Sequence, residues 1–433
     1  MIPSKYNIIV PVNDKSYIFN LASQCLVEIN EELTKFLNGE IKLINFTDEE
    51  KKELHDNGII VDNHNFETAR LKANINFLKF DRSKMGAFLS TTSGCNLSCT
   101  YCYQDIRKDI EEKKYISKEN WGIILNHFRM EIKKNNTKLF AASIFGGEPM
   151  LGGDMCKKII KDLRELQDDF PDLNLQCVLI TNGTLFNEEN VEFYLNNVDN
   201  IQITLDGLKE INDQFRIYPD GSGSFDKIIN SIKLLDRYRT EDKQSSLCLR
   251  VNVNRETVDK AKQFINYLVE NNLNSGITSI DFHEIFSTQR DIIEKGSDLK
   301  DKDIELAKEI SNLNFYLLDK GIKVFRKLGG PCLGKMSTGY VIDEELNIYA
   351  CPGLLYSEVQ GKIEKNGNID IENKRWFDFF LDDFECVDTC KYAPICYGGC
   401  TWEKGENERN CMRHIYDATL ISNLQAYIFS KYV

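Results

Sequence analysis

The sequence predicts an α/β fold with a parallel sheet and helices packed outside it, and two observations support this prediction. Six short apolar or β-branched runs recur between residues 86 and 325. Amphipathic segments separate them, and the one that carries Trp121, Ile124, Leu125 and Phe128 has the spacing of a helix with one buried face. Six strand–helix units in succession imply a doubly wound sheet or a whole or partial barrel.

The six strands are expected at GAFLSTT, LFAASIF, LQCVLIT, NIQITL, LCLRVNV and ITSIDFHEI. Folds of this kind place their chemistry on loops at the carboxyl ends of the strands. Cys95, Cys99 and Cys102 follow the first of these strands. The first candidate site therefore lies at the functional end of the predicted sheet.

Residues 1–80 predict a small α+β domain. YNIIVPV and SYIFNL indicate two strands joined by a turn at Asn13-Asp14-Lys15. A helix capped by Thr47 and ending near Gly58 leads into a further strand. FETARLKANINFLKF is expected to form a helical connector to the next domain. No residue of this region is catalytic in type.

Residues 329–433 form a third region, so the core fold is expected over residues 81–328. Apolar helical periodicity fades in this third region, and seven of the fourteen cysteines gather there with Gly, Pro and Asp between them. A segment with little apolar periodicity needs another source of order, and ligated metal can supply it.

Composition excludes several classes of function. A chain of 433 residues is long enough for about three domains. Its net charge of −13 argues against binding of nucleic acid, and no run of about 18 apolar residues predicts a membrane span. The start lacks the apolar core of an export signal, so a cytoplasmic location is expected. Fourteen cysteines in such a chain favour metal or redox chemistry over disulfides.

CNLSCTYCY, at residues 95–103, gathers three cysteines at CxxxCxxC spacing. A [4Fe–4S] cluster that only carries electrons takes four thiolates. Three thiolates on one short loop leave one iron open to chelate a substrate or cofactor. Zinc is the competing interpretation, but a structural zinc site requires four protein ligands and no fourth candidate lies nearby in the sequence.

Together with four motifs that follow it, this loop resembles the cluster loop of the radical S-adenosylmethionine (SAM) enzymes. Each motif falls at the end of a predicted strand, in the order that the family shows. The motifs are FGGEP (145–149), TNGT (181–184), ITLDG (203–207) followed by Asn212, Asp213 and Arg216, and RVNVN (250–254).

The resemblance implies SAM as a cofactor. Gly146, Gly147 and Glu148 would contact the amino end of SAM, because glycine permits a close approach of the backbone. Thr204 and Arg216 would face its carboxylate and ribose. The backbone of Tyr101 would face its adenine.

The family's chemistry is also implied. A reduced cluster on Cys95, Cys99 and Cys102 would pass one electron to SAM, which splits into methionine and a 5′-deoxyadenosyl radical. That radical would take a hydrogen atom from the substrate. The cofactor carries the difficult step, and the protein supplies position and exclusion of water.

CKYAPICYGGC, at residues 390–400, resembles the core of the SPASM domain, which houses auxiliary [4Fe–4S] clusters in radical SAM enzymes that act on peptides and proteins. The resemblance implies three clusters in all, with two auxiliary ligand sets. The first set is Cys332, Cys351 and Cys400, with one open corner, and the second is Cys386, Cys390, Cys396 and Cys411. A zinc ribbon is the competing interpretation.

Two positions depart from the SPASM pattern. The usual CxxC opening is Cys386-x-x-x-Cys390 here, one residue longer, and Leu346 stands where a glycine is usual. Both departures are expected in loops, where cluster binding can survive them.

The cysteines outside these motifs, which are Cys25, Cys156, Cys177 and Cys248, are expected to be ordinary buried thiols. His283 and Glu284 close the sixth strand and are candidates for the barrel interior. A structural role and a role in proton transfer both remain open for this pair.

Three functions fit the motifs. The first is a maturase that modifies a ribosomally made precursor peptide, most simply by forming thioethers on its cysteines. The second is an anaerobic sulfatase-maturing enzyme that makes formylglycine, although such enzymes carry an extra cysteine after the first SPASM cysteine and an Asp after the second, where this chain has CLGKMST and Cys351-Pro352. The third is a non-catalytic iron–sulfur carrier or binding protein.

Two partners follow from the first function. One is a precursor peptide with a leader, because residues 6–80 resemble the small winged-helix-like recognition domain of many peptide maturases. Such a domain would hold the leader as an added strand. A purely structural cap is the competing interpretation of these residues. The other partner is a small flavodoxin- or ferredoxin-like electron donor.

Overall fold

The structure is a computed structural model that describes residues 1–104, 112–240, 245–285, 303–324, 332–372, 380–381, 384–400 and 411–432. The strands in these residues are β1 (Ile2–Pro3), β2 (Asn7–Val12), β3 (Lys15–Asn20), β4 (Leu26–Glu28), β5 (Ile60–Val61), β6 (Lys84–Ser90), β7 (Leu139–Phe145), β8 (Asn174–Thr181), β9 (Asn200–Thr204), β10 (Ser246–Val253), β11 (Ser279–Glu284), β12 (Lys323–Val324), β13 (Gly339–Ile342), β14 (Asn347–Tyr349), β15 (Gly361–Ile363) and β16 (Ile369–Ile371). The helices are α1 (Glu31–Leu37), α2 (Asp48–Asp56), α3 (His64–Phe80), α4 (Lys118–Asn135), α5 (Asp154–Asp169), α6 (Val191–Asn197), α7 (Lys209–Phe215), α8 (Phe225–Tyr238), α9 (Ala261–Glu270), α10 (Ile304–Asp319), α11 (Cys386–Thr389), α12 (Ala393–Cys396) and α13 (Arg413–Tyr432).

The central sheet contains the six predicted strands, β6 to β11, side by side, in sequence order and parallel. Helices lie between successive strands along the chain, and their apolar faces share one core with the sheet. The face predicted for the helix after β6 is buried as expected, with Trp121, Ile124, Leu125 and Phe128 in that core. The predicted α/β fold with a partial (β/α)6 barrel is confirmed.

Both edges of the sheet extend beyond the six strands. β12 pairs in parallel with β11 at one edge. At the other edge β13 pairs in parallel with β6, with Ile342 opposite Leu89, and β14 to β16 follow in antiparallel pairing. Part of the region predicted as separate, residues 329–433, therefore continues the barrel sheet. The predicted boundary at residues 328 and 329 lies outside the described residues.

The two faces of the sheet carry different side chains, because successive residues of a strand point to opposite faces. Ile144 of β7 and Leu179 of β8 are buried against the helices. Their neighbours Phe145 and Ile180 pack with Phe88 in a second cluster on the other face, which is the barrel interior. Side chains from the segment after β13, among them Tyr349, Leu355 and Tyr356, complete this interior cluster.

The predicted elements of residues 1–80 are all present. β2 and β3 form the hairpin, and Asn13 in its turn has a φ of 52°. Thr47 caps α2 in a capping box with Glu50, and α3 is the predicted helical connector. The sequence did not reveal β4, a three-residue strand on β3, or the pairing of β1 with β5.

The hairpin of residues 7–20 packs against the last helix of the chain. Phe19 meets Tyr427 of α13 edge to face, with ring centroids 6.1 Å apart, and Gln425 donates to the carbonyl of Pro11. α13 runs for twenty residues, in a stretch whose apolar periodicity is weak. Tertiary packing explains the helix, since one of its faces is buried against β2 and it also contacts α10.

Among the described residues, no helix combines the length and the apolar character that crossing a membrane requires.

Candidate active site

The three-cysteine loop, residues 95–103, leaves the carboxyl end of β6 and is fixed by a neighbouring segment. The backbone N–H of Ser98 donates to the carbonyl of Ile217 at 2.7 Å, and that of Thr100 donates to the carbonyl of Phe215 at 3.0 Å. All three cysteine side chains are half-buried. The loop therefore presents its thiols on a backbone that protein contacts already hold.

The glycine-rich loop after β7 packs directly on this first loop. The N–H of Gly147 donates to the carbonyl of Thr92 at 2.9 Å, and that of Glu148 donates to the carbonyl of Gly94 at 2.8 Å. A Cβ on Gly147 would lie 2.0 Å from the oxygen of Gly94, and a Cβ on Gly146 would lie 2.5 Å from that of Thr92. Only glycine allows the two backbones to approach so closely.

Glu148 joins the ends of three strands. Its fully buried carboxylate accepts hydrogen bonds from Thr181 Oγ1 and the N–H of Asn182, each at 2.7 Å, and from the N–H of Met150 at 3.0 Å. Burial raises its pKa, and these three donors oppose the shift. Asn182 also donates through Nδ2 to Asn96 of the three-cysteine loop at 2.8 Å. Glu148 thus positions these loops, while its predicted contact with SAM stays a prediction.

A buried network of four side chains lies on the other side of the three-cysteine loop. The hydroxyl of Tyr101 donates to the carboxylate of Asp206, and Arg216 Nη1 donates to that hydroxyl at 3.1 Å. Asn252 Nδ2 donates to Asp206 Oδ1 at 3.1 Å. Burial raises the pKa of Asp206, although Arg216 and the hydrogen bonds oppose it, and burial followed by the Asp206 charge raises the pKa of Tyr101.

The guanidinium of Arg216 has a buried donor that this network does not use. Its side chain is 7% exposed, and within the described residues its buried Nε has no hydrogen-bond partner. A buried guanidinium N–H without an acceptor is costly, so this atom fits an acceptor on a bound molecule. A carboxylate or a ribose hydroxyl, both present in SAM, supplies such an acceptor.

Polar residues line the barrel interior on the β9 to β11 side. Thr204 ends β9, and Arg250 of β10 pairs with Asp281 of β11 at 2.7 Å. His283 lies opposite Asn252 in the strand register, so it shares the interior face with Asn252. By the same alternation the expectation that Glu284 also points into the barrel is wrong.

The donor set at this end of the sheet fits a [4Fe–4S] cluster with bound SAM. Three thiols on one loop suit three irons of a cubane, in which each thiolate binds a different iron. The described residues contain no group of three or more His, Cys, Asp or Glu side chains close enough to hold a single metal ion. The predicted roles of Cys95, Cys99, Cys102 and Thr204 as cluster and SAM ligands stay predictions.

The C-terminal cysteines lie in two groups. Burial raises the pKa of the Cys351 thiol to about 12, and the charges of Cys400 and Cys332 add to this shift, so these three thiols interact. They are the three predicted to share the first auxiliary cluster.

The second group surrounds Tyr416 of α13. Burial raises the pKa of Tyr416, and the charges of Cys396, Cys390 and Cys411 raise it further. These are three of the four cysteines predicted for the second auxiliary cluster. Both ligand sets, with Cys386 in the second, stay predictions.

The structure explains the longer spacing between Cys386 and Cys390, and it shows why the SPASM pattern usually has a glycine where this chain has Leu346. The extra residue between Cys386 and Cys390 completes the single turn of α11, and the N–H of Cys390 donates to the carbonyl of Cys386 at 2.8 Å. The two cysteines are therefore one helical turn apart and lie on one side of it. Leu346 has a φ of 72°, the left-handed conformation that favours glycine.

The remaining cysteines are mostly as expected. Cys156, Cys177 and Cys248 are buried, the last two inside β8 and β10. The prediction of a buried thiol is wrong for Cys25, which is half-buried because it lies in the turn between β3 and β4. Among the described residues, which include all fourteen cysteines, no disulfide is formed.

Sequence reasoning missed three side chains that organise the site, namely Asp206, Asn252 and Asn182. Each lies inside a motif already noted, so the signal was position within the motif. Arg250, Asn252 and Asn254 alternate with apolar residues along and after β10, and such a row of polar residues in a buried parallel strand indicates that one face lines a polar site.

Comparison with known proteins supports this site. Residues 89–268 match the radical SAM superfamily. The chain is 29% identical over 346 residues to a cysteine-type anaerobic sulfatase-maturating enzyme of Clostridium novyi, which covers 74% of this chain and 88% of that enzyme.

Two solved structures share the fold. One is anSMEcpe with bound AdoMet and Cp18Cys peptide, at a TM-score of 0.59 and 18% identity over 79% of this chain and 97% of that one. The other is Streptococcus suis SuiB bound to S-adenosylmethionine, at a TM-score of 0.51 and 16% identity over 93% of this chain and 96% of that one.

Proposed function

Because this chain is a radical SAM enzyme, we propose that it is a peptide maturase that forms thioether crosslinks on the cysteines of a ribosomally made precursor peptide. One observation carries the proposal: the Cys332, Cys351 and Cys400 thiols are close enough to influence one another's charge, and Leu333 and Leu355, which follow the first two, belong to the cluster in the barrel interior. A non-catalytic carrier would need neither the polar network at Arg216 nor the glycine-rich cradle beside the three-cysteine loop.

The chain's own residues have distinct tasks at the radical site. Cys95, Cys99 and Cys102 hold the first cluster, Arg216 donates to SAM, and the Tyr101–Asp206 pair fixes the Arg216 side chain. When bound, SAM and the first cluster supply a 5′-deoxyadenosyl radical, which takes one hydrogen atom from the substrate, and an auxiliary cluster supplies a centre that accepts one electron.

The barrel interior excludes water from this chemistry. Phe88, Phe145 and Ile180 form an apolar wall on the β6 to β8 side, and Tyr349 and Leu355 from the cysteine-rich region cover it. A dry interior protects a carbon radical from side reactions and favours its attack on a nearby sulfur.

The crosslink is balanced in atoms and electrons. Cys332, Cys351 and Cys400 would hold the first auxiliary cluster and leave one iron without a protein ligand, and that iron would bind a substrate cysteine as its thiolate. The C–H bond of the acceptor carbon loses its hydrogen atom to form 5′-deoxyadenosine, the S–H proton goes to solvent when the thiol is ligated, and the new C–S bond leaves one electron for the auxiliary cluster. The product is two hydrogens lighter per thioether.

The N-terminal unit supplies the recognition step of this proposal. β2 and β4 are the edge strands of the sheet β2-β3-β4, with no further strand paired to them among the described residues, and the leader peptide adds to the sheet as such a strand. Ile9 of β2 is 46% exposed and offers an apolar contact beside such a strand. Ile9→Ser should weaken precursor binding about tenfold and leave SAM cleavage without peptide unchanged, since each hot-spot contact contributes roughly 1–2 kcal/mol. Equal affinity of the two proteins would contradict this part.

One further partner and a location belong to the proposal. A small flavodoxin- or ferredoxin-like protein reduces the first cluster. The setting is the reducing cytoplasm, where thiols stay available as ligands.

A formylglycine-generating function is the second candidate, and the likeness to the Clostridium novyi enzyme favours it. It uses the same site and the same first hydrogen abstraction, but the product is an aldehyde on a target protein instead of a thioether. Pro352 stands directly after Cys351, where those enzymes have an Asp, which weakens this candidate.

One experiment separates the candidates. The reconstituted enzyme is incubated anaerobically with SAM, dithionite and a cysteine-rich peptide encoded beside its gene, and in parallel with a peptide that carries a sulfatase maturation motif. Loss of two hydrogens per bond with loss of thiol alkylation supports the thioether. An aldehyde that reacts with a hydrazine reagent on the sulfatase peptide supports the second candidate and contradicts the first.

A further inference from the structure

Lys335 is a buried lysine at the point where the two groups of C-terminal cysteines meet. It ends the short helical turn Leu333–Lys335 that follows Cys332, and its N–H donates to the carbonyl of Cys332 at 3.0 Å. The residue is 8% exposed. Burying an ammonium group costs several kcal/mol unless acceptors or anions surround it, so its surroundings need an explanation.

The ammonium group of Lys335 reaches across to the loop between Cys396 and Cys400. Its Nζ donates to the backbone carbonyl of Tyr397 and to that of Gly399, each at 2.5 Å. These bonds tie the turn after Cys332, a predicted ligand of the first auxiliary cluster, to the loop between Cys396 and Cys400. Cys400 is a predicted ligand of the same cluster, and Cys396 is a predicted ligand of the second.

The loop needs such a tie because its backbone is unusual. Tyr397, Gly398 and Gly399 have φ values of 51°, 78° and 84°, three left-handed residues in succession. A non-glycine residue in this conformation costs of order 1 kcal/mol or more and persists only where the surroundings hold it. The two bonds from Lys335 flank the middle of this run and hold it between the two cysteines.

Charge points in the same direction as geometry. The Nζ of Lys335 lies 2.5 Å from the carbonyl oxygens of Tyr397 and Gly399, so its positive charge is fixed in the loop between Cys396 and Cys400. Thiolates that bind iron are anionic, and a cluster gains one more negative charge when it is reduced. A fixed cation beside the ligands therefore favours the reduced state.

We propose that Lys335 is a positioning residue that holds the Cys396–Cys400 loop against Cys332 and raises the reduction potential of an auxiliary cluster, so that the cluster accepts the electron left by the substrate. The inference rests on the auxiliary clusters of the proposed function.

The test uses full-length protein reconstituted with iron and sulfide, in a Cys95→Ala, Cys99→Ala, Cys102→Ala background where only auxiliary clusters contribute to the electron paramagnetic resonance signal. Lys335→Met removes the charge at similar length, and Lys335→Arg retains it. Lys362→Met removes an exposed lysine from β15 in the same region and is the matched control. Iron content and the midpoint potential of each cluster are measured in all four proteins.

We expect Lys335→Met to lower one midpoint potential so that the ratio of reduced to oxidised cluster falls about tenfold, or roughly 59 mV for a one-electron couple. Lys335→Arg should restore most of the potential, and Lys362→Met should not change it. If Lys335→Met no longer binds the cluster, Lys335→Arg must bind it and show a midpoint potential close to that of the parent protein.

Unchanged potentials in Lys335→Met overturn the inference, as does loss of the cluster in both Lys335 variants. A failure of the underlying function looks different. In that case the unmutated enzyme itself would hold about four irons instead of about twelve.

Discussion

The two cysteine-bearing regions of the molecule are held in different ways. Backbone hydrogen bonds of Ser98 and Thr100 fix the three-cysteine loop at residues 95–103 on one side, and those of Gly147 and Glu148 hold the residues directly before it on the other. The C-terminal cysteines lie on one-turn helices and short turns, and Cys332, Cys386 and Cys411 are exposed. Backbone hydrogen bonds within the protein therefore hold the first group of cysteines, whereas the auxiliary clusters proposed above would supply the contacts that hold the exposed cysteines of the second region.

Removing the cysteines of residues 95–103 should have the largest effect, and it should change SAM cleavage without changing the iron bound by the C-terminal cysteines. Replacing Cys95, Cys99 and Cys102 together with Ala should abolish SAM cleavage, because no other thiol lies on that loop to hold the first cluster. The auxiliary iron, about eight of about twelve atoms, should remain bound. Anaerobic assay of 5′-deoxyadenosine and iron analysis check both outcomes. Residual 5′-deoxyadenosine after reconstitution would show that the first cluster is assigned to the wrong residues.

The next effect tests whether packing shapes the barrel site. Gly147→Ala places a Cβ 2.0 Å from the carbonyl oxygen of Gly94, so one of the two backbones must shift. We expect a loss of about 3 kcal/mol in unfolding free energy and at least a tenfold loss of SAM affinity, as typical for overpacking that moves backbone.

Gly122→Ala is the matched control for this change. Nothing lies within 4 Å of its added Cβ, and it occupies the first turns of α4, where alanine favours the helix. Urea unfolding and equilibrium dialysis of SAM compare the two variants. Equal behaviour would mean that the loops adapt and that the barrel site is not shaped by packing.

A third effect concerns the contact between the end of β6 and the segment that follows β13. Glu344 follows β13, and its carboxylate accepts a hydrogen bond from Tyr356 at 3.0 Å, while Tyr356 also bonds Ser90 at the end of β6 at 2.7 Å. Burial raises the pKa of Glu344 to about 7, from about 4.3 in an unfolded chain. The folded state therefore retains a proton that the unfolded state loses, and stability falls as the pH rises from about 4.5 to 7.

Glu344→Gln removes this titration. Relative to the parent enzyme, the variant should gain about 3 kcal/mol in unfolding free energy between pH 4.5 and 7.5. Glu364→Gln alters an exposed glutamate after β15 that does not contact the side chains around Glu344, and its pH curve should follow that of the parent. Parallel curves for all three proteins, from urea unfolding across this range, would place the titrating group elsewhere.

The smallest effect concerns the network at the barrel site. Arg216→Lys keeps the positive charge but removes the planar fork that donates both to Tyr101 and to a bound acceptor. We expect SAM to bind about tenfold more weakly, or roughly 1.4 kcal/mol, with the auxiliary clusters unaffected. Tyr101→Phe, which removes only the hydroxyl, should weaken binding less. Titration calorimetry with SAM measures both, and unchanged affinity in Arg216→Lys would exclude Arg216 from the SAM site.

Local patterns were enough to predict the six barrel strands, the Thr47 cap and the three-cysteine loop, because spacing and capping depend on residues near in sequence. The partnership of Tyr101 with Asp206 spans 105 residues and has no local signal. α13 was missed for a related reason, since its stability comes from packing against β2 and not from its own periodicity. Leu346 is a case in which the sequence did carry a signal. The glycine that is usual at this position in the family pattern indicates a positive φ, and Leu346 has one.

The contact between the β2–β3 hairpin and α13 has a consequence for how the protein is made. Gln425 and Pro11 are hydrogen-bonded although 414 residues separate them. Domains usually fold as they leave the ribosome, at about 5–20 residues per second. The hairpin must therefore wait tens of seconds with Tyr6, Ile8 and Phe19 lacking their final cover, until Leu424 and Ile428 emerge. During that interval the uncovered strands of the hairpin are open to other chains, so a chaperone has its best opportunity to bind the hairpin before synthesis ends.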